Sequence, residues 1–307
     1  MSDERAPKPA WMTHAALIVV QVAFASQAVE GKIAMSARDA GGEAIAPAAL
    51  AMVRMGGAAV AFVLFTQLFK LRKQITTRDH LVLAGLSILG ISLNQTLFLI
   101  GLRTTTPVSA ALLSVTIPVF TAVMAVVART EKPSWRLGLG LGLALAGVLW
   151  LTGIHRVDRG AVIVTLNSLS YSAYLVLSRR IIVRLGAWTV VTWIFVWGAL
   201  LFAPYGVPAL AADVPHWTPR GLGFVAYILV MPTIVAYLSN AWALGRSSST
   251  LVTVYIYTQP LIAGLLSWVQ LGQTVSERAL VAALFILVGV TVVATRPIVG
   301  RVAQSQS

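Results

Sequence analysis

Two tyrosines, a threonine and a glutamine stand in the middle of an apolar run, VYIYTQPLIAGL, from Val254 to Leu265. Tyr255 and Gln259 lie four residues apart and so share a helix face, while Tyr257 is turned from Tyr255 by about 200°. Asn167, Tyr171, Tyr174 and Ser178 follow at steps of four, three and four and form one polar stripe. Tyr237 and Asn240 are three apart with Trp242 close by, Asn94 and Gln95 are adjacent, and Gln21 interrupts the first apolar stretch. Such amides and hydroxyls can hold a polar solute while tyrosine and tryptophan rings contact its apolar part. They can equally pair helix to helix. The stripe and the Tyr255/Gln259 pair favour lining a cavity, because pairing rarely needs a whole face.

Charges inside apolar runs are costly and mark function or tight pairing. Glu30, Lys32 and Arg54 are placed so. Glu30 and Lys32 are two apart and point to nearly opposite faces, whereas Glu30 with Arg54, across adjacent helices, forms a candidate ion pair. One cation could attract a solute carboxylate, and Glu30 could carry a proton. The structural alternative is an ion pair plus a lysine that reaches the interface. Pro118 and Pro260 remove a backbone hydrogen bond and crowd the carbonyls of Ser114 and Ile256. Each should bend its helix, a candidate hinge or cavity wall.

Enzyme chemistry is poorly served by this sequence. There are ten acidic residues and no cysteine. D-x-x-x-D arrays within apolar runs, H-E-x-x-H and G-x-S-x-G are lacking, and His14, His80, His155 and His216 scatter near the ends of the runs. No metal and no cofactor is expected. Without G-x-x-x-x-G-K-[ST], ATP is not expected to drive the protein.

The elements that carry these residues are set by composition. Of 307 residues 58% are hydrophobic and 11% charged, and mean hydropathy is +0.83, against about 25% charged in a soluble domain. This is an all-α integral membrane protein. Ten apolar runs can span a bilayer, at 13–35, 46–69, 80–102, 106–128, 137–154, 160–179, 187–207, 221–244, 249–271 and 279–296. The first is expected to be retained, since no A-x-A-like cleavage site follows it at the usual distance. With the N-terminus inside, fifteen Lys/Arg residues fall on the inner side and six on the outer. This predicts a multi-pass cell-membrane protein with both termini cytoplasmic. The net charge of +13 then reflects cytoplasmic loops, and no nucleic-acid partner is expected. Most of the tryptophans sit near run ends, as interfacial anchors do.

A repeat divides the chain. Pro118 and Pro260, Glu131 and Gln273, Gly147 and Gly289, and Val148 and Val290 all stand at one offset of 142, and the Thr/Ser-rich approaches LRTTTPVSAALL and GRSSSTLVTVY recur before the prolines. Five spans per half is odd, so the halves should sit upside down relative to each other, a recurrent transporter design. G-K-I-A in the first span, M-V-R-M in the second, L-R-T-T-T-P-V-S-A-A-L-L-S-V-T-I-P, then R-T-E-K-P and L-A-G-V resemble the EamA family of the drug/metabolite transporter superfamily. The resemblance covers nearly the whole chain and implies ten helices in two inverted five-helix repeats. The repeats would be 13–154 and 160–296, between cytoplasmic tails 1–12 and 297–307. It implies export of amino acids or other small metabolites across the cell inner membrane. Gln273 departs from it, since the family usually has Glu there. A phosphorylated-sugar or lipid-precursor transporter of the same fold is the alternative. The expected partners are a small-molecule substrate, lipid and, through Glu30, a proton; monomer and homodimer both stay open.

Overall fold

In a computed structural model, residues 10–69, 71, 74–104, 114, 116–152, 159–259, 261–262, 265–266 and 277–294 are described. All regular structure among them is helical: α1 (Ala10–Met35), α2 (Pro47–Leu68), α3 (Thr77–Ser87), α4 (Leu93–Thr104), α5 (Thr116–Val127), α6 (Trp135–Thr152), α7 (Arg159–Leu185), α8 (Ala187–Asp213), α9 (Pro219–Leu229), α10 (Ala236–Leu244), α11 (Ser249–Val254) and α12 (Glu277–Ala294). Five stretches among the described residues are long and apolar enough to cross a membrane: Trp11–Met35, Pro47–Leu68, Thr77–Arg103, Ala187–His216 and Pro219–Leu244. Their outer faces carry exposed Leu68, Leu81, Leu200 and Leu222, as lipid contact requires. Among the described residues, Arg54, Phe62, Phe195 and Tyr257 are the bulkiest side chains fully shut inside.

Two of these crossings are built alike. Thr76 and Thr218, 142 residues apart, each cap a helix start, their hydroxyls accepting from Asp79 N at 3.2 Å and Gly221 N at 2.9 Å. Such a cap satisfies one of the backbone donors a helix start leaves over. Each helix then runs 11 residues, α3 and α9, before one π turn, at Ile88–Ser92 and Val230–Val235. It then continues as α4 and α10. The packing also exchanges between the halves: α4 lies on α7 as α10 lies on α1, and α3 on α8 as α9 on α2. The pairs α2/α8 and α6/α12 close the assembly. Gly140 permits the second, since a Cβ there would lie 2.8 Å from the Gly289 carbonyl oxygen.

Two helices outrun the sequence expectation. α7 continues to Leu185 because its basic end finds partners: Arg179 Nε donates to the Ser247 carbonyl at 2.7 Å, and Arg184 pairs with Asp79. Gly186, at φ 84°, then lets the chain turn directly into α8. α8 continues to Asp213 through Pro204 and Pro208, a pattern that membrane helices tolerate where neighbours satisfy the freed carbonyls.

Candidate functional site

The break in α9–α10 has a chemical cause. Pro232 has no N–H to give the Ile228 carbonyl four residues back. The Thr233 hydroxyl takes that place, donating to Ile228 O at 2.7 Å. Thr233 Oγ1 in turn accepts from Arg54 Nε at 2.9 Å. Arg54 Nη2 donates to Gln27 Oε1 at 3.3 Å, and Nη1 finds no hydrogen-bond partner among the described residues. The residue is 2% exposed. A guanidinium cannot shed its charge near neutral pH, so this is a buried cation held by neutral groups. That arrangement is costly unless an anion visits it.

Arg54 opens onto a cavity of about 710 Å³ of empty space, counted to its open end. α1 contributes Phe24, Ala25, Gln27 and Ala28, α4 contributes Asn94, Gln95 and Phe98, and α7 contributes Asn167 and Tyr171. Tyr237 from α10, Ser114 and Ile117 at α5, and Ile256 and Gln259 after α11 complete the lining. Both halves of the chain therefore meet at this space. Arg54 is the one charged residue in the described lining. The wall is rigid where it is bonded. Asn167 Nδ2 donates to the Asn94 carbonyl at 2.6 Å, Tyr237 Oη to Asn94 Oδ1 at 3.2 Å, and Gln259 Nε2 to Gln21 Oε1 at 2.7 Å. The Gln95 amide is buried in the same wall beside Tyr237.

The residues singled out from sequence divide into lining and support. Asn94, Asn167, Tyr171, Tyr237 and Gln259 line the cavity. Gln21 stands behind Gln259, and Asn240 behind Tyr171, donating from Nδ2 to its hydroxyl at 3.1 Å. Tyr174 stacks on Tyr171 with ring centroids 5.8 Å apart. Tyr255 shares a 2.5 Å hydrogen bond with His14 Nδ1 outside the described lining, and Trp242 lies under the Arg246 guanidinium, 4.1 Å from its ring centroid. Pro118 is buried in α5 beside Ile117, whose carbonyl accepts from Ser172 at 3.1 Å. Pro260 lies outside the described residues.

The expected ion pair between Glu30 and Arg54 is corrected. Arg54 turns to Thr233 and Gln27, and half-buried Glu30 stands outside the lining. Lys32 donates to the Leu102 and Arg103 carbonyls, both at 3.1 Å, so it caps the C-terminal end of α4, where a cation also suits the helix dipole. Glu131 caps a helix too, its Oε1 accepting from Thr250 N at 3.1 Å. Of Gln27, Gln95 and Thr233, Gln95 alone stands among the polar candidates the sequence points to, beside Asn94. Gln27 and Gln95 are visible as polar breaks in apolar runs; the P-T step at Pro232–Thr233 is the signal that would have found the third.

Known proteins bear on this arrangement. The family model described as "EamA-like transporter family" matches residues 11–153 and 158–295. The uncharacterised transporter YdfC of Bacillus subtilis is 26% identical over 239 residues, covering 76% of this chain and 77% of that one. A probable terminal-alkyne amino-acid exporter of Streptantibioticus cattleyicolor is 24% identical over 252 residues, 81% of this chain and 84% of its own. YedA, an uncharacterised inner membrane transporter of Escherichia coli, is 25% identical over 212 residues, 64% of this chain and 67% of its own. A solved crystal structure superposes with a TM-score of 0.69 at 18% identity, over 92% of this chain and 95% of that one, a likeness of fold.

Proposed function

The chain belongs to the EamA-like transporter family, and on that premise we propose that it is a secondary exporter of small metabolites, amino acids or related compounds, working by alternating access through the cavity. Membrane transport rather than enzymatic chemistry is what the family and its named relatives have in common. The observation that carries the proposal is the lining itself. Amides, hydroxyls and aromatic rings drawn from both halves surround one cation, a combination suited to a polar solute with an apolar part.

Ten spans in two inverted repeats, 13–154 and 160–296, supply the motion. Support comes from the matched caps at Thr76 and Thr218 and the matched π turns at one offset of 142. The exchange of packing partners between halves adds to it. The halves rock about the cavity, with Pro118 and Pro260 as the hinges and both termini in the cytoplasm. Amino-acid export draws on the name of one relative and on the single positive charge. A phosphorylated sugar would call for converging basic residues, and the described lining offers Arg54 alone.

Efflux from proteoliposomes loaded with a mixture of amino acids and related metabolites, read by mass spectrometry without ATP, tests this. Selective loss of a few solutes, reduced in Asn167→Ala or Gln259→Ala, is expected. Flux indistinguishable from protein-free vesicles, with and without an imposed proton gradient, would refute it. Glu30→Gln reports on coupling: pH dependence of transport that survives the substitution removes Glu30 as the proton carrier.

A further inference from the structure

Arg54 is the one cation in the described lining, is 2% exposed, and has its three nitrogens in different circumstances. Nε is fixed by Thr233 at 2.9 Å and Nη2 is loosely engaged by Gln27 at 3.3 Å. Nη1, also buried, has no partner among the described residues. Thr233 cannot drift, because its own proton is committed to the Ile228 carbonyl. The guanidinium is therefore anchored at one edge and left with an unsatisfied buried donor, Nη1, at the other, and its planar fork matches a carboxylate. No carboxylate side chain lies in the described lining to compete for it.

We propose that Arg54 is the site of the solute's carboxylate, and that the protein therefore selects solutes bearing a carboxylate over the same molecules carrying a neutral group there. The solute's remaining polar group meets the neutral wall of Asn94, Gln95 and Tyr237, and its apolar part meets Phe24 and Phe98. A carrier so built passes acids and zwitterions and discriminates against amines and amides of equal size. The site also joins binding to the helix break, since the arginine that takes the carboxylate hangs on the residue that completes the Val230–Val235 turn.

This inference rests on the transport reading, so its test includes a readout that needs no flux. Purified full-length protein is titrated with a mixture of neutral amino acids and, separately, with the matching mixture of their carboxamides, and the unfolding midpoint is followed. The acids should raise the midpoint and the amides should not. In proteoliposomes acids should leave at least about 10-fold faster than amides, the size of losing a charge-assisted pair. Arg54→Gln should abolish both differences, and Arg54→Lys, which keeps the charge without the fork, should keep a reduced preference for acids. Acid-specific stabilisation without flux would preserve the site and sink the transport reading. Equal flux of acids and amides would preserve transport and sink the site. Absence of acid-specific stabilisation in the unsubstituted protein, or its persistence in Arg54→Gln, would also overturn the carboxylate assignment.

Discussion

The π turns Ile88–Ser92 and Val230–Val235 stand in equivalent places in the two halves, yet they are built from opposite residues. Gly90 in one matches Pro232 in the other at the offset of 142. At Gly90 the missing side chain is the point: a Cβ would lie 2.4 Å from the Tyr174 ring, which fills the space instead. The neighbouring Leu89 carbonyl accepts from Ser170 at 2.7 Å. At Pro232 the missing N–H is the point, because it brings in the Thr233 hydroxyl and with it Arg54. The first turn is a packing joint and the second holds a charge. A repeated backbone shape can thus carry unlike chemistry, and the one charge in the described lining is held at the second turn.

Breaking the charged joint should have the largest effect. Arg54→Gln is expected to lower efflux of carboxylate solutes on the order of 100-fold, the cost of losing a buried charged partner. In the absence of solute its unfolding midpoint should equal or exceed that of the unsubstituted protein, since a lone buried cation is removed. A midpoint many degrees lower would make Arg54 a structural residue. Breaking the packing joint should act on stability instead. Gly90→Leu forces Tyr174 out of its place and is expected to cost about 1–3 kcal/mol or more, seen as a lower thermal midpoint. Conversely, Pro232→Ala supplies the missing N–H and should cost less than Gly90→Leu while loosening the hold on Arg54.

Smaller substitutions sharpen the contrast. Thr233→Val keeps the shape but leaves the Ile228 carbonyl and Arg54 Nε short of a partner, for about 1–3 kcal/mol and a weaker preference for acids. Thr233→Ser should restore both. Ser170→Ala, the matching loss at the first turn, should cost about 1 kcal/mol and leave solute preference unchanged. A changed preference in Ser170→Ala would erase the distinction between the joints.

Much of this was legible in the sequence, and the limits have physical causes. The offset of 142 was visible through Pro118/Pro260 and Gly147/Gly289. The π turns were not, because a five-residue hydrogen-bond step has no fixed residue signature, and Gly90 and Pro232 make the same turn. Helical spacing showed that Asn167, Tyr171 and Tyr174 share a face. It could not say that the face turns from the cavity at Tyr174 toward Gly90, because that depends on the angle at which α7 crosses the neighbouring helices. Arg54 was recognisable as a buried charge. Its partner was not: opposite charge suggested Glu30, while the freed carbonyl at Pro232 had already drawn Thr233 into place.

If solutes cross through the space lined by α1, α4, α7 and α10, that space is reached from either side of the membrane in turn. The chain has no cysteine, so one introduced at Ala28, a small lining residue, reports on that space alone. In right-side-out and inverted vesicles carrying Ala28→Cys, a membrane-impermeant thiol reagent should react from both sides, more slowly when a transported amino acid is present. Reaction from neither side, or from both sides at rates that no solute changes, would contradict the account.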